Sequence, residues 1–226
     1  MKKGDVIWTV VLIGIIAFLL YPITHKLFVT FTNNYAYIAG FLKFAILATM
    51  GDLLAYRIVT SEWKIRNGFL FRMFIWGFLG AVIVLIFDIF GAGVAAAMET
   101  GSLPGVGYTI AFAFFTSTIM NLVFAPTMMG FHRITDTYAD LKFVEGRKNF
   151  KLDQVLNEID WNNFISFIVM KTIPAFWIPA HTITFLLPSE YRVLMAAFLS
   201  IALGAILSFA KARNIQQKNR EAKPAQ

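Results

Sequence analysis

From Trp161 to Arg192 the chain reads WNNFISFIVMKTIPAFWIPAHTITFLLPSEYR, with Lys171 near the centre of its apolar part and prolines at Pro174, Pro179 and Pro188. A helix that crosses a bilayer needs ~20 mostly apolar residues, and this stretch has them. An ionisable group at its middle costs about 3 kcal/mol or more unless it is paired or wetted. Each interior proline also removes a helical hydrogen bond, and the freed carbonyl must find a neighbouring helix, a hydroxyl or water. Such a segment predicts an all-α, polytopic transmembrane bundle whose interior offers polar company.

The remaining sequence supports that reading. Hydrophobic residues make up 58% of the 226, with 24 Phe, against ~45–50% apolar for an ordinary soluble domain. They come in blocks that predict six spans, at residues 6–24, 35–58, 69–90, 108–126, 161–185 and 191–210. The first follows MKKGD as a signal peptide would, but Leu20-Tyr21-Pro22 offers no small-residue cleavage site, so an uncleaved helix bent near Pro22 is expected. Residues 91–107 read as a Gly/Ala-rich link. Residues 127–160 carry apolar positions at helical spacing and predict amphipathic helices on the membrane surface. A basic tail occupies 211–226.

Six spans divide the charges unequally. Of the 20 basic residues, 16 fall in loops and ends on one side, while Lys26 and Arg192 lie on the other and Lys43 and Lys171 within spans. By the positive-inside rule both termini face the cytoplasm, or an organelle's matrix. The formal charge of +7 is therefore topogenic, and no nucleic-acid partner is expected.

The intramembrane polar set is Lys43, Asp52, Arg72, Asp88, Asn121, Lys171 and His181. At ~1.5 Å rise per residue, two ion pairs are allowed, Asp52–Lys171 and Lys43–Asp88. They would either fix helix register or line a polar path, with Pro126, Pro174, Pro179 and Pro188 breaking helices around it. Ala196, Ser200, Gly204 and Ser208 form a small-residue stripe suited to close helix packing or to a homo-oligomer interface. Cysteine is absent, the three histidines lie in different elements, and no phosphate loop or nucleophile elbow can be assembled. Neither a cofactor, a bound metal nor an enzymatic activity is expected.

Several landmarks are similar to those of the Mpv-seventeen / peroxisomal-membrane-protein family. Gly51-Asp52 followed by Arg72 resembles its opening helix and basic connection. Asn121 to Pro126 resembles its Asp-Gln-x-x-x-x-Pro segment, with Met120 at the Asp position. Trp177, Phe185, Pro188 and Arg192 resemble its closing signature, and Leu207-Ser208 suits the final helix. Tyr56 stands near the usual Gln, and Thr184-Phe185 replaces Asn-Phe. The resemblance implies a small organelle-type or bacterial membrane protein linked to metabolite passage. Together with the polar set it suggests a channel or facilitator for small solutes in a lipid bilayer. A structural protein without transport activity and a proton-coupled metabolite exporter are the alternatives.

Overall fold

The computed structural model describes the backbone of residues 2–221 and the side chains of 2–213. It is all-α among the described residues. Helices α1 (Lys3–Leu20) and α2 (Pro22–Asn34) are followed by α3 (Ala36–Thr60), α4 (Phe69–Glu99), α5 (Thr109–Val123) and α6 (Ala125–Ala139), the last running into a π-turn at Asp140–Val144. Next come the short α7 (Leu152–Asn157) and α8 (Trp161–Asn163), a π-helical stretch Phe164–Trp177, α9 (Ile178–Leu186) and α10 (Ser189–Glu221). Five helices are long and apolar enough to cross a membrane, and α5 with α6 makes a sixth candidate bent by 45°. The chain is an integral membrane protein of the all-α class.

Helix α3 is the axis of the bundle, flanked by α4 on one side and α10 on the other. Phe44 and Leu47 of α3, Ile83 and Val84 of α4, and Ala196 and Ala197 of α10 are buried together. Glycines set the spacing. A Cβ on Gly80 would land on the carbonyl oxygen of Gly40, so α3 and α4 touch backbone to backbone. A Cβ on Gly51 would lie 3.2 Å from the Cα of Ile201, which sets the approach of α10. Close crossings of this kind supply packing where lipid gives no hydrophobic drive.

Helix α1 has no buried residue and is fastened at few points. Arg57 donates to Asp5 at 2.9 Å, the Trp63 indole donates to the same carboxylate at 2.7 Å, and Trp8 donates to the Met50 carbonyl at 3.0 Å. These contacts put the chain's start beside the end of α3. We call this the basic end; Arg66, Arg72 and the α6 terminus lie there too.

Several expectations need correction. The third span continues to Glu99 instead of ending at 90, because Gly91–Glu99 is rich in alanine, the best helix former. Residues 125–144 form with α5 a bent pair that is a candidate sixth span, where amphipathic surface helices were expected over 127–160; their polar stripe turns toward α4. The basic segment from 211 continues α10 to Glu221, and 222–226 lie outside the described residues. Pro126 does bend the fourth span, and Pro188 separates α9 from α10. Pro174 and Pro179 do not interrupt the fifth: Trp161–Leu186 is one continuous helix. Its widened turns pair residues five apart, as in the Ile178 amide bonding to the Ile173 carbonyl.

The α3–α4 contact is directly testable. Gly80→Ala is expected to destabilise the protein by about 1–3 kcal/mol through overpacking. Gly93→Ala, where nothing lies within 4 Å of the new methyl, should leave it unchanged or slightly more stable. Thermal melts of both variants in detergent check the contrast; equal melting temperatures would reject the close crossing.

Candidate functional site

A cavity of about 480 Å³ occupies the middle of the bundle between α3, α4, α5, α6, the π-helical stretch, α9 and α10. It arises where α6 leans away from the axis of α5 at the 45° bend. Phe124, Ala125, Met128, Met129 and His132 line it across that bend. It reaches the basic end at Arg133 and Asp136 and extends inward to Asn121, Trp177 and His181.

Two carboxyl groups line it, Asp52 and Asp136, and only Asp136 is ion-paired among the described residues. Asp52 is exposed, and it is among the residues that line the cavity. Its one hydrogen-bond donor is the Trp76 indole, at 2.7 Å. Such a bond fixes the direction of the carboxyl group. Trp76 in turn lies against His132, ring centroids 4.1 Å apart.

A charged clamp holds the wall below. Trp76 and Arg72 stand one turn apart on α4, and His132, Asp136 and Asp140 stand at four-residue spacing on the facing α6 arm, so two polar ladders meet. Arg72 is buried and pairs with both Asp136 and Asp140, the latter at 2.8 Å; Arg66 also contacts Asp140. Two guanidinium groups and two carboxylates balance there. Outside the spans, Arg147 bridges Glu145 at 2.8 Å and Glu158 at 3.0 Å, and this pairing holds its guanidinium still more firmly charged.

At the deep end Asn121 and His181 are buried and bonded through one ring nitrogen, with His181 Nδ1 3.0 Å from the Asn121 amide nitrogen and 3.1 Å from its oxygen. The Asn121 amide also donates to the Ser117 carbonyl at 2.8 Å, and Ser117 Oγ donates to the Ile178 carbonyl at 2.7 Å. His181 stacks on Trp177 and meets the edge of Phe87. Phe87 also faces a second pocket of about 170 Å³ on the far side, which holds Lys43, Asp88, Glu190 and Arg192. Its ring belongs to the partition between the two spaces.

The predicted residues therefore divide. Asp52, Asn121 and His181 line the cavity; Arg72 stands behind its wall in the clamp; Lys43 and Asp88 share the second pocket. Lys43 and Asp88 do not form the expected pair: Lys43 instead donates to the Glu190 carbonyl at 3.4 Å and sits 4.7 Å from the centre of the Phe28 ring. The Asp52–Lys171 pair is also overturned. Lys171 is exposed on the outside of the bundle and makes no hydrogen bond or ion pair among the described residues. The cause is the π-helical stretch. Counting 3.6 residues per turn from Phe164 puts 168, 171 and 175 inside. The wider turns put Ile168, Thr172 and Trp177 there, and Lys171 moves outward.

The small-residue stripe is turned inward as well. Ala196, Ser200, Gly204 and Ser208 all line the cavity, with Gly204 facing the Gly51 carbonyl. The residues missed by the sequence reading are Trp76, Phe87, His132 and Asp136. For His132 and Asp136 a signal existed, since with Asp140 they repeat every four residues.

The fold and cavity define a polytopic helical membrane protein with a largely apolar internal cavity that holds a few polar side chains. The chain matches no family model, no curated protein and no solved structure, so the role of the cavity rests on its own residues.

The clamp and the missing pair each make a prediction. Arg72→Met should destabilise by about 2 kcal/mol, below the ~3–5 of a fully buried pair because both carboxylates keep contact with solvent, whereas Arg66→Met should cost under about 1 kcal/mol. Denaturation midpoints compare the two. Asp52→Asn and Lys171→Leu should have additive effects in a double-mutant cycle; a coupling energy beyond about 0.5 kcal/mol would contradict the outward Lys171.

Proposed function

We propose that the protein is a facilitator or transporter of small solutes, and that the cavity is part of the path. The supporting observation is the sequence of spaces across the bundle. A chamber begins at Arg133 and Asp136, passes Asp52, and ends at Phe87; behind that residue lies a pocket with four charged side chains. A protein serving only as scaffold would be expected to fill this volume with side chains, as native interiors normally do. The cavity is of the size that takes small ligands, and carboxylates inside membrane spans are commonly retained for transport.

The resemblance to the Mpv-seventeen family, carried by Gly51-Asp52, Arg72 and the Trp177–Arg192 signature, points the same way. On this reading the chain is not an enzyme. Its basic end lies in the cytoplasm, and a bacterial cytoplasmic membrane suits it best. The lack of cysteine makes orientation easy to test. Ser102→Cys should react with an impermeant maleimide in intact cells, and Ser61→Cys only after the membrane is opened.

Transport is tested with purified protein in liposomes loaded with inorganic ions, amino acids and organic cations. Efflux above protein-free vesicles is expected for at least one class. Phe87→Ala should raise it, by shrinking the partition, and Asp52→Asn should lower it. No efflux of any solute across pH and voltage would overturn the reading.

A further inference from the structure

The cavity's lining indicates a class of solute. Six aromatic side chains face it: Phe44, Trp76, Phe87, Phe124, Phe164 and Trp177. Met120, Met128 and Met129 fill between them, and thioethers adapt to ligands of varied outline. Aromatic faces carry negative charge and attract cations, by about 0.5–1 kcal/mol at exposed sites and ~2 or more where water is excluded.

At the depth of Asp52 the fixed charges agree with the walls. Arg72, the strongest cation near the cavity, is engaged by Asp136 and Asp140, and Arg66 shares Asp140. Arg133 lines the mouth at the basic end, is exposed, and makes no ion pair among the described residues. Lys171 is outside the bundle, and Lys43 lies in the second pocket. Asp52 thus presents a carboxylate to the chamber that is oriented by a neutral indole and paired with no cation among the described residues. An anionic solute would meet aromatic faces and this carboxylate together, and both repel it. A neutral solute would leave the carboxylate unmatched in a largely apolar space, a costly arrangement.

We propose that the cavity binds an organic cation with an apolar, preferably aromatic body, its charge facing Asp52 and its body lying against Trp76, Phe44 and Trp177. This names the solute class for the path proposed above and rests on that reading. Trp76 serves twice, as the donor that aims Asp52 and as a ring beside the bound cation. The 480 Å³ of space accommodates a drug-sized molecule, and four-residue spacing along α6 brings Met128, His132 and Asp136 onto one side of it.

Tetraphenylphosphonium and tetraphenylborate, alike in shape and opposite in charge, make the test. The full chain in lipid nanodiscs is titrated with each by calorimetry, against empty nanodiscs and an Asp52→Asn variant. The phosphonium is expected to bind at least about tenfold more tightly than the borate after subtraction of lipid partitioning, and Asp52→Asn to lose about tenfold. Lys171→Leu, outside the cavity, should bind as the parent does. If Asp52→Asn does not fold, melting of the unaltered protein still decides, since only the phosphonium should raise its melting temperature. No binding, equal binding of both ions, or full binding by a folded Asp52→Asn would overturn the cation site. The transport reading fails separately: saturable, Asp52-dependent binding without efflux of any solute sinks the path and keeps the site, whereas efflux of other solutes with no phosphonium binding does the reverse.

Discussion

A guanidinium inside a membrane bundle must have its charge matched nearby, and the lower half of this structure follows from how Arg72 meets that demand. Its partners, Asp136 and Asp140, sit on the arm of the fourth span beyond Pro126. Reaching Arg72 from there draws the α6 arm against the start of α4, while α5 stays packed against α9. The two arms consequently diverge by 45°. Pro126 makes the bend cheap, because the amide it lacks would otherwise require a partner. The chamber is the space that this bend leaves, and Asp52 and Trp76 occupy its wall one turn deeper than the clamp.

The upper half obeys a different constraint. There α3 and α4 meet at Gly40 and Gly80, too close for any side chain between them. Contact at that point brings Phe44 and Phe87 into one cluster with Phe185 and closes the chamber at the depth of His181. Along α4 the chamber is lined from Trp76 to Phe87, about 16 Å at ~1.5 Å per residue, roughly half the ~30 Å of a bilayer's hydrocarbon.

Much of this was legible from residue order, and the errors share one physical origin. Apolar block lengths identified five candidate crossings and the bent pair that makes a sixth, the break near Pro22 and the helical class, because hydrocarbon thickness leaves little choice of element. Asp52, Asn121 and His181 were identifiable because polar side chains within apolar blocks are rarely there without cause. Lys171 belonged to the same argument and came out on the opposite face, because its facing depends on turn width. Nothing in the sequence short of Pro174 hinted that Phe164–Trp177 would adopt π-helical turns. His132 and Asp136 were assigned to a surface helix for a related reason: an amphipathic stripe does not say whether its polar side seeks water or an arginine. Small residues carried a similar ambiguity, and Ser200 and Gly204 line the chamber.

The partition at Phe87 limits how a solute of any class would complete a crossing. His181 is held by Asn121 and stacked on Trp177, so the α9 side of the partition is fixed by buried contacts. Phe87 itself stands on α4 two turns beyond the glycine crossing, with Ile83 and Val84 packed against α3 between them. A shear of α4 along α3 is thus opposed by that packing, by backbone contact at Gly40 and Gly80 and by the Arg72 clamp below. The clamp has two carboxylates at successive turns of α6, and a guanidinium sliding by one turn, about 5.4 Å, can exchange the share it gives each without losing both. On the transport reading, α4 is accordingly the element whose displacement would join the chamber to the pocket of Lys43 and Asp88 at the least electrostatic cost.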